Sequence, residues 1–323
     1  MVIISKNEVF LSQTLAALRA QCDEMDAECV VVDASGGGMG DVRDTHTWVR
    51  WHDFTARGGR SVTIPHQRNA GVGLAKGEII AFCDAGGIPG EGWLSRLTAP
   101  IRDGDAAATG GPIRSRRPTA YGTLNEVPRG AAVPSVVTSN FAFTRALFDG
   151  VGGFDERYDY GSDGDFGKRI RELGEVVVSV PDAIMTIDWG DRRRQLRRDL
   201  RYGEAQAREW LLHPERRRRI VFETPEVLLY PLLFGTAPIA LAVALVTRRW
   251  VVFAPWVKAL VALYAWDRLH KRPNNAMVDH VVVSAGILRE LSSVGRDGLS
   301  TRRGEYDAST PSRRATGPLF DPR

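Results

Sequence analysis

The chain has 323 residues, 43% of them apolar and 25% charged, with a formal net charge of +4. That length accommodates one sizeable α/β domain with an appendage, and the apolar content is ample for a packed core. The modest charge, with no recognisable binding module beside it, argues against nucleic acid as a partner. Three cysteines without CxxC spacing and six histidines with no close pair exclude a local zinc motif, and buried free thiols are expected. Of the 43 cationic residues only five are Lys; the Arg residues cluster after residue 190, which suits phosphate groups or an anionic membrane surface.

In chain order, residues 2–4 read as a first strand, followed by a helix with Leu11, Leu15 and Leu18 at i, i+4 and i+7. No signal-peptide pattern precedes that strand, so the catalytic part is expected in the cytosol. Residues 29–32 form a second strand ending at Asp33 and the loop ASGGGMG, which has GxGxG spacing and no tidy helix after it; this disfavours a dinucleotide site. A third strand is expected over 49–51 and an irregular helix over 65–75, stopped by Gly77. Residues 79–83 are a buried strand that delivers Asp84 into a glycine-rich loop, before Pro89 and Gly92 introduce a helix. Strand alternating with helix implies a largely parallel sheet covered on both faces.

From residue 106 the pattern changes to short strands (106–110, 136–143) separated by a polar, Arg- and Pro-rich loop over 114–134. A turn at 151–156 leads into a helix with Ser162 as its cap, Asp163 and Asp165 in its first turn and Gly174 as its stop. Strands at 176–180 and 184–187 follow, with Asp188 at the end of the second. A basic helix begins after Asp191. Residues 227–247 carry no charge over 21 residues, enough for a bilayer core of about 30 Å, and a shorter apolar run over 250–266 contains Lys258. The basic flanks at 216–219 and at Arg268, Lys271 and Arg272 outnumber Arg248 and Arg249 between the runs, which predicts a hairpin with both flanks in the cytosol. Residues 277–294 read as a surface helix, and the Arg-rich tail as disordered. The domain plan is thus 1–190, basic interfacial helices over 191–224, a membrane hairpin and surface helix over 225–295, and a tail over 296–323.

Asp33, Asp84, Asp163 and Asp188 each stand at a strand end or a helix start. With the ordered motifs ISKNE, VVVDAS, QRNAGVGLAKGEIIAFCDAG, GWL, TSNFAF, VGGFDERYDYGSDGDFGKRI and VPDAIMTIDW, the pattern resembles the inverting glycosyltransferases of family 2 over residues 2–194. The resemblance implies an α/β fold of the GT-A type, a Rossmann-like mixed sheet flanked by helices, followed here by a helical membrane-associated region. It further implies that Glu8, Asp33, Arg68 and Asp84 bind the nucleotide. Asp84 would be the first acid of the DxD motif, holding a Mn²⁺ or Mg²⁺ ion that bridges the donor diphosphate. Asp163 matches the general base and Asp165 the following acid of the same motif, for which orienting or structural work is expected.

Three positions depart from the family pattern: Gly86 replaces the second DxD acid, Ser162 the Glu before the base, and Asp188 a residue that is often histidine. One acid lost and one gained leave Asp84 and Asp188 as the expected metal ligands, with the Arg residues at 192–194 as an alternative source of positive charge. Gln195 is not followed by the QxxRW motif of the processive synthases, so transfer of a single sugar is expected. The resulting expectation is a membrane-associated enzyme with its catalytic domain in the cytoplasm, using a nucleotide sugar (UDP-sugar foremost) and a lipid-linked or cell-envelope glycan acceptor. The alternative is a catalytically silent nucleotide-binding partner of a glycan-assembly complex. A nucleotidyltransferase is disfavoured because SKNEVF, not a glycine-rich loop, follows the first strand.

Overall fold

The strands VIIS, VVVD and IIAF are apolar on both faces, so they have to be covered from both sides. In the computed structural model, which describes residues 1–55, 63–117, 123–218, 226–269 and 276–297, they form the middle of a seven-stranded sheet. Its strands are β1 (Val2–Ser5), β2 (Val30–Asp33), β3 (Arg50–Asp53), β4 (Ile79–Phe82), β6 (Ala108–Gly110), β8 (Phe141–Thr144) and β9 (Val177–Ser179), in the order β3-β2-β1-β4-β8-β6-β9. The first four run parallel; β8 is antiparallel to both β4 and β6, and β9 is parallel to β6. A small second sheet joins β5 (Gly87–Pro89), β10 (Met185–Ile187) and β7 (Ile113–Ser115). The described residues fall into two compact units, one ending at Trp189 and the next beginning at Gly190.

The period of two along each strand divides the core. Ile3, Val31, Ala81 and Ala142 pack with Leu11, Leu15 and Leu18 of α1 (Leu11–Glu24) and with Trp93 and Leu97 of α4 (Trp93–Arg102). On the opposite face Val2, Ile80, Phe82, Phe141 and Phe143 pack with Phe154 and with Phe166 and Ile170 of α6 (Ser162–Glu172). Phe154 and Phe166 stack there with ring centroids 4.4 Å apart.

Asn140 locks the two sheets together. Its amide donates to the carbonyls of Pro112 (2.9 Å) and Ala183 (2.8 Å) and accepts from the Trp93 indole (2.8 Å), all buried. Each of those groups would cost about 1–3 kcal/mol if left unpaired. This is why the expected strand over 136–143 is shorter: Thr138–Asn140 forms a 3₁₀ turn that aims the Asn140 amide inward, and the strand starts at Phe141.

Other differences from the sequence reading have similar local causes. A short helix, α2 (Gly40–Thr45), does follow the ASGGGMG loop. The glycine-rich loop after Asp84 contains β5, because β10 supplies a partner from nearly 100 residues away in the chain. The 114–134 loop starts as β7 and pairs Leu124 back to Ile113; residues 118–122 lie outside the described set. Ser162 is not a cap: Gly161, at φ +77°, precedes the helix, and the serine makes no capping bond.

The second unit is helical. α7 (Arg192–Leu212) is capped by the Asp191 carboxylate, which accepts from the Arg194 N–H at 2.8 Å. It crosses the helix Ala276–Asp297 at Gly203 and Gly286, where a methyl group would collide with the backbone carbonyls of Val283 and Leu200. Arg208 and Glu290 form a buried ion pair at this crossing, flanked by Arg192–Asp279 (2.5 Å) and Arg289–Glu204 (3.3 Å). Between α7 and the helix Ala276–Asp297 in the chain lie the helices Glu226–Thr247 and Ala254–Leu269. Only the first contains a segment long and apolar enough to cross a bilayer, Leu229–Thr247. The second apolar run opens with a 3₁₀ turn, Trp250–Phe253, and its 16-residue helix is about 24 Å long, so two full crossings do not follow from these lengths. Lys271, Arg272, Arg219 and the tail from residue 298 lie outside the described residues.

Cys22, Cys29 and Cys83 are buried and unpaired, and desolvation raises the pKa of each thiol, that of Cys29 to about 12. Raised pKa values keep all three protonated at pH 8. Iodoacetamide at that pH should leave the native protein unlabelled, whereas the chain unfolded in guanidinium should take up three equivalents by intact mass.

Candidate active site

The parallel strands β1, β2 and β4 end on one edge, where open α/β sheets hold ligands. Three consecutive residues of α3 (Ile64–Leu74) organise that edge. The Gln67 amide donates to the carbonyls of Ser5 (2.9 Å) and Val32 (3.1 Å), fixing the helix over the ends of β1 and β2. Asn69 pairs with both the N–H and the C=O of Phe154 (2.9 Å each) and donates to Glu156, which also meets His66 at 2.9 Å. Thus the 151–156 turn, and α6 after it, are placed by α3.

Arg68, between them, is 6% exposed and lies over the Phe154 ring, 5.5 Å from its centroid. One guanidinium nitrogen stands 3.9 Å from the Asp84 carboxylate and the other donates to the Ser162 hydroxyl at 3.3 Å. Arg68 therefore couples the end of β4 to the start of α6. Asp84 is 46% exposed, open towards the strand-end edge. Asp163 is half-buried, accepts only the Gly164 N–H (3.0 Å), and has no cationic partner among the described residues. It stands in the first turn of α6, where the helix dipole favours negative charge.

Asp165 has a different position. It is 2% exposed and accepts from Arg169 Nε at 2.8 Å, while Arg169 holds the carbonyls of Val151 (2.9 Å) and Gly153 (2.7 Å). Its carboxylate is thereby used to hold the turn before α6. Asp33 is also buried: it accepts from the N–H (3.1 Å) and hydroxyl of Ser35 and from Arg43 (3.0 Å). Arg43 lies over Trp51 and bridges to Asp53, whose pKa its hydrogen bond lowers.

Gly86 has φ +99°, and its N–H donates to Thr14 Oγ1 at 2.9 Å. The β5–β10 register pairs Gly87 with Ile187, so Asp188 stands opposite Gly86, one step beyond the last pair. Asp188 meets Arg117 at 3.0 Å. A Cβ at position 86 would lie 3.6 Å from the carboxylate of Glu8, in the loop between β1 and α1. Of the residues singled out from the sequence, Asp84 and Arg68 thus meet near the start of the Asp163 helix, Glu8 lies beside Gly86, and Asp33 and Asp165 are held in polar contacts of their own. Gln67 and Asn69 were missed as organisers, although the run QRN was visible; nothing in a single sequence shows which strand or turn an amide reaches.

Residues 1–130 match the family model described as glycosyl transferase family 2. No curated protein matches the chain in sequence. Among solved structures, the mannosyltransferase PcManGT from Pyrobaculum calidifontis, in complex with GDP-Man and Mn²⁺, superposes with a TM-score of 0.61 at 19% identity, covering 90% of this chain and 86% of that one. GalNAc-T7, solved with UDP, GalNAc and Mn²⁺, gives a TM-score of 0.49 at 17% identity over 59% of this chain and 43% of that one. The mixed sheet with its flanking helices is the GT-A fold, and the match to the family 2 model spans the residues that carry Asp33, Arg68 and Asp84.

Proposed function

We propose that this protein is an inverting glycosyltransferase that moves one sugar from a nucleotide-sugar donor to a lipid-linked or cell-envelope glycan acceptor at the cytosolic face of a membrane. The observation that carries this reading is the Arg68 bridge, which holds Asp84 and the Asp163 end of α6 in one site. Family 2 sequence over residues 1–130 supports glycosyl transfer as the chemistry. UDP and GDP are both candidate nucleotides; the Pyrobaculum enzyme was solved with GDP-Man and Mn²⁺.

In this reading Asp163 accepts the proton of the acceptor hydroxyl as that oxygen attacks the anomeric carbon, on the face opposite the departing diphosphate. Having no cationic partner among the described residues, its carboxylate is left to act as the base. Arg68 faces the leaving group and stabilises its growing charge, while Asp165 keeps α6 in place through Arg169. Asp84, half-exposed at the end of a central strand, suits a hard divalent cation, with Asp188 as a second carboxylate. Such a cation, when bound, neutralises the diphosphate. Gly86 and Ser162, which stand where acids are usual, favour as a second reading a nucleotide-binding partner without turnover.

Membrane association rests on the segment Leu229–Thr247, only 22% of which is buried within the protein. Leu232, Ile239 and Val246 are 64%, 65% and 84% exposed, and Arg248 and Arg249 follow directly. The shorter helix Ala254–Leu269 would insert part-way beside it.

Asp163→Asn should lower kcat for sugar transfer by about 10²–10⁴-fold with donor KM and circular dichroism unchanged; unaltered turnover would remove Asp163 as base, and no turnover by the wild type with any UDP- or GDP-sugar would favour the silent partner. Arg68→Lys should weaken nucleoside diphosphate binding about tenfold by calorimetry, because an ammonium cannot reach Asp84 and Ser162 together as the planar fork does. The full chain should stay with membranes through washes in 1 M salt and in carbonate, leaving only with detergent; release by salt alone would show that the Arg clusters, not the apolar helix, hold it.

A further inference from the structure

The TSNFAF stretch places Asn140 between the two sheets and leaves the two hydroxyls before it without a task in the fold. Thr138 and Ser139 are each 1% exposed, and neither hydroxyl oxygen has a hydrogen-bond partner among the described residues. A buried hydroxyl left unpaired costs about 1–3 kcal/mol, and here two consecutive residues carry that cost. Asn140, next in the chain, has its amide engaged by Trp93, Pro112 and Ala183.

The place of the pair follows from the two ends of its segment. Upstream, Val136 lies against Gly167 of α6, where a methyl group would stand 2.6 Å from Val136 Cγ2. Gly167 comes one helical turn after Asp163, so both belong to the face of α6 that this segment meets. Downstream, Phe141 of β8 pairs with Phe82 of β4, two residues before Asp84, and the Thr138–Asn140 turn itself packs on β4. The turn therefore spans from the Asp163 face of α6 to the Asp84 end of β4, the interval that Arg68 also bridges.

We propose that Thr138 and Ser139 bind hydroxyl groups of the sugar being transferred, and so select the donor by its sugar and not by its nucleotide. This deepens the glycosyltransferase reading and rests on it. In that reading the departing diphosphate lies at the Asp84 and Arg68 end and the base is Asp163, so the sugar ring has to occupy the interval between them. A side-chain hydroxyl both donates and accepts, as a sugar hydroxyl does, so each satisfies the other; diphosphate oxygens only accept, and Arg68 serves them. The two oxygens are covered, so the turn shifts as the sugar enters, and both groups then gain partners that the chain alone does not give them.

The test uses the detergent-solubilised full chain and the variants Thr138→Val and Ser139→Ala, with UDP, GDP, UDP-glucose, UDP-N-acetylglucosamine and GDP-mannose as calorimetric probes. Each variant should raise the Kd of the nucleotide sugar that the wild type binds by about five- to tenfold and leave that of the matching nucleoside diphosphate unchanged. Thermal unfolding without ligand separates this from a structural role. Both variants should melt at or above the wild-type Tm, because each removes an unpaired buried group. Thr109→Val, whose hydroxyl donates to the Leu97 carbonyl at 2.6 Å, should melt lower and bind the nucleotide sugar as the wild type does. Equal effects on nucleotide sugar and diphosphate, or none on either, would overturn the proposal. So would a lowered Tm in both variants with sugar binding intact, since the hydroxyls would then be paired through water within the fold. A wild type that holds UDP or GDP but none of the sugar conjugates would also refute it. If the wild type binds none of the five probes, the glycosyltransferase reading fails and this assignment with it; that failure shows in the wild type, the others only in the variants or in the sugar conjugates.

Discussion

A guanidinium in a protein interior has to be compensated, because losing its hydration costs several kcal/mol. At Arg68 the compensation is divided among a carboxylate, a hydroxyl and an aromatic face contributed by three different parts of the chain. Asp84 arrives at the end of a central strand, Ser162 at the start of a helix, and Phe154 from the turn between. Burying one charge therefore requires the strand, the turn and the helix to meet at one point, and that point is the candidate site. The amides on either side of it, Gln67 and Asn69, fix the supporting backbone through carbonyls and an N–H group, and Asn69 also donates to the Glu156 carboxylate.

The departures from the family pattern are connected through the same arginine and the same strand pairing. A glutamate at 162 would give Arg68 a full counter-charge within the helix; a serine gives it a neutral acceptor, which leaves more of its charge directed at Asp84. The glycine at 86 removes one acid from the strand-end loop, and the β5–β10 register sets Asp188 against that gap. Neither substitution is isolated, and the site retains a surplus of carboxylates next to one buried cation.

The helical unit is constrained in a different way. Gly203 and Gly286 allow two backbones to approach more closely than any side chain would permit, and the buried Arg208–Glu290 pair fixes the register of that crossing. A buried pair of this kind specifies more than it stabilises, since the desolvation of both partners offsets much of their attraction. The apolar segment Leu229–Thr247, by contrast, presents most of its side chains outward, which in water would be an aggregation hazard and in lipid would be a match of solvent.

Much of this protein is local and was therefore legible in its sequence. Strand cores such as VVVD and IIAF, the α1 face of Leu11, Leu15 and Leu18, and the start and stop of α6 follow from periodicity and from glycine and acid placement over a few residues. The positions of Asp84 and Asp163 at a strand end and in a first helical turn were legible for the same reason. What depended on distance along the chain was not: the pairing of β5 with β10, the docking of Gln67 and Asn69, the burial of Asp33 and Asp165 in local polar contacts, and the meeting of Glu8 with Gly86. A sequence determines which residues can form strands, helices and charges because those are decided by neighbouring bonds and by the solubility of side chains. Which carboxylate remains open, and which is used to hold a loop, is decided only when segments separated by tens of residues compete for the same hydrogen bonds in the tertiary structure.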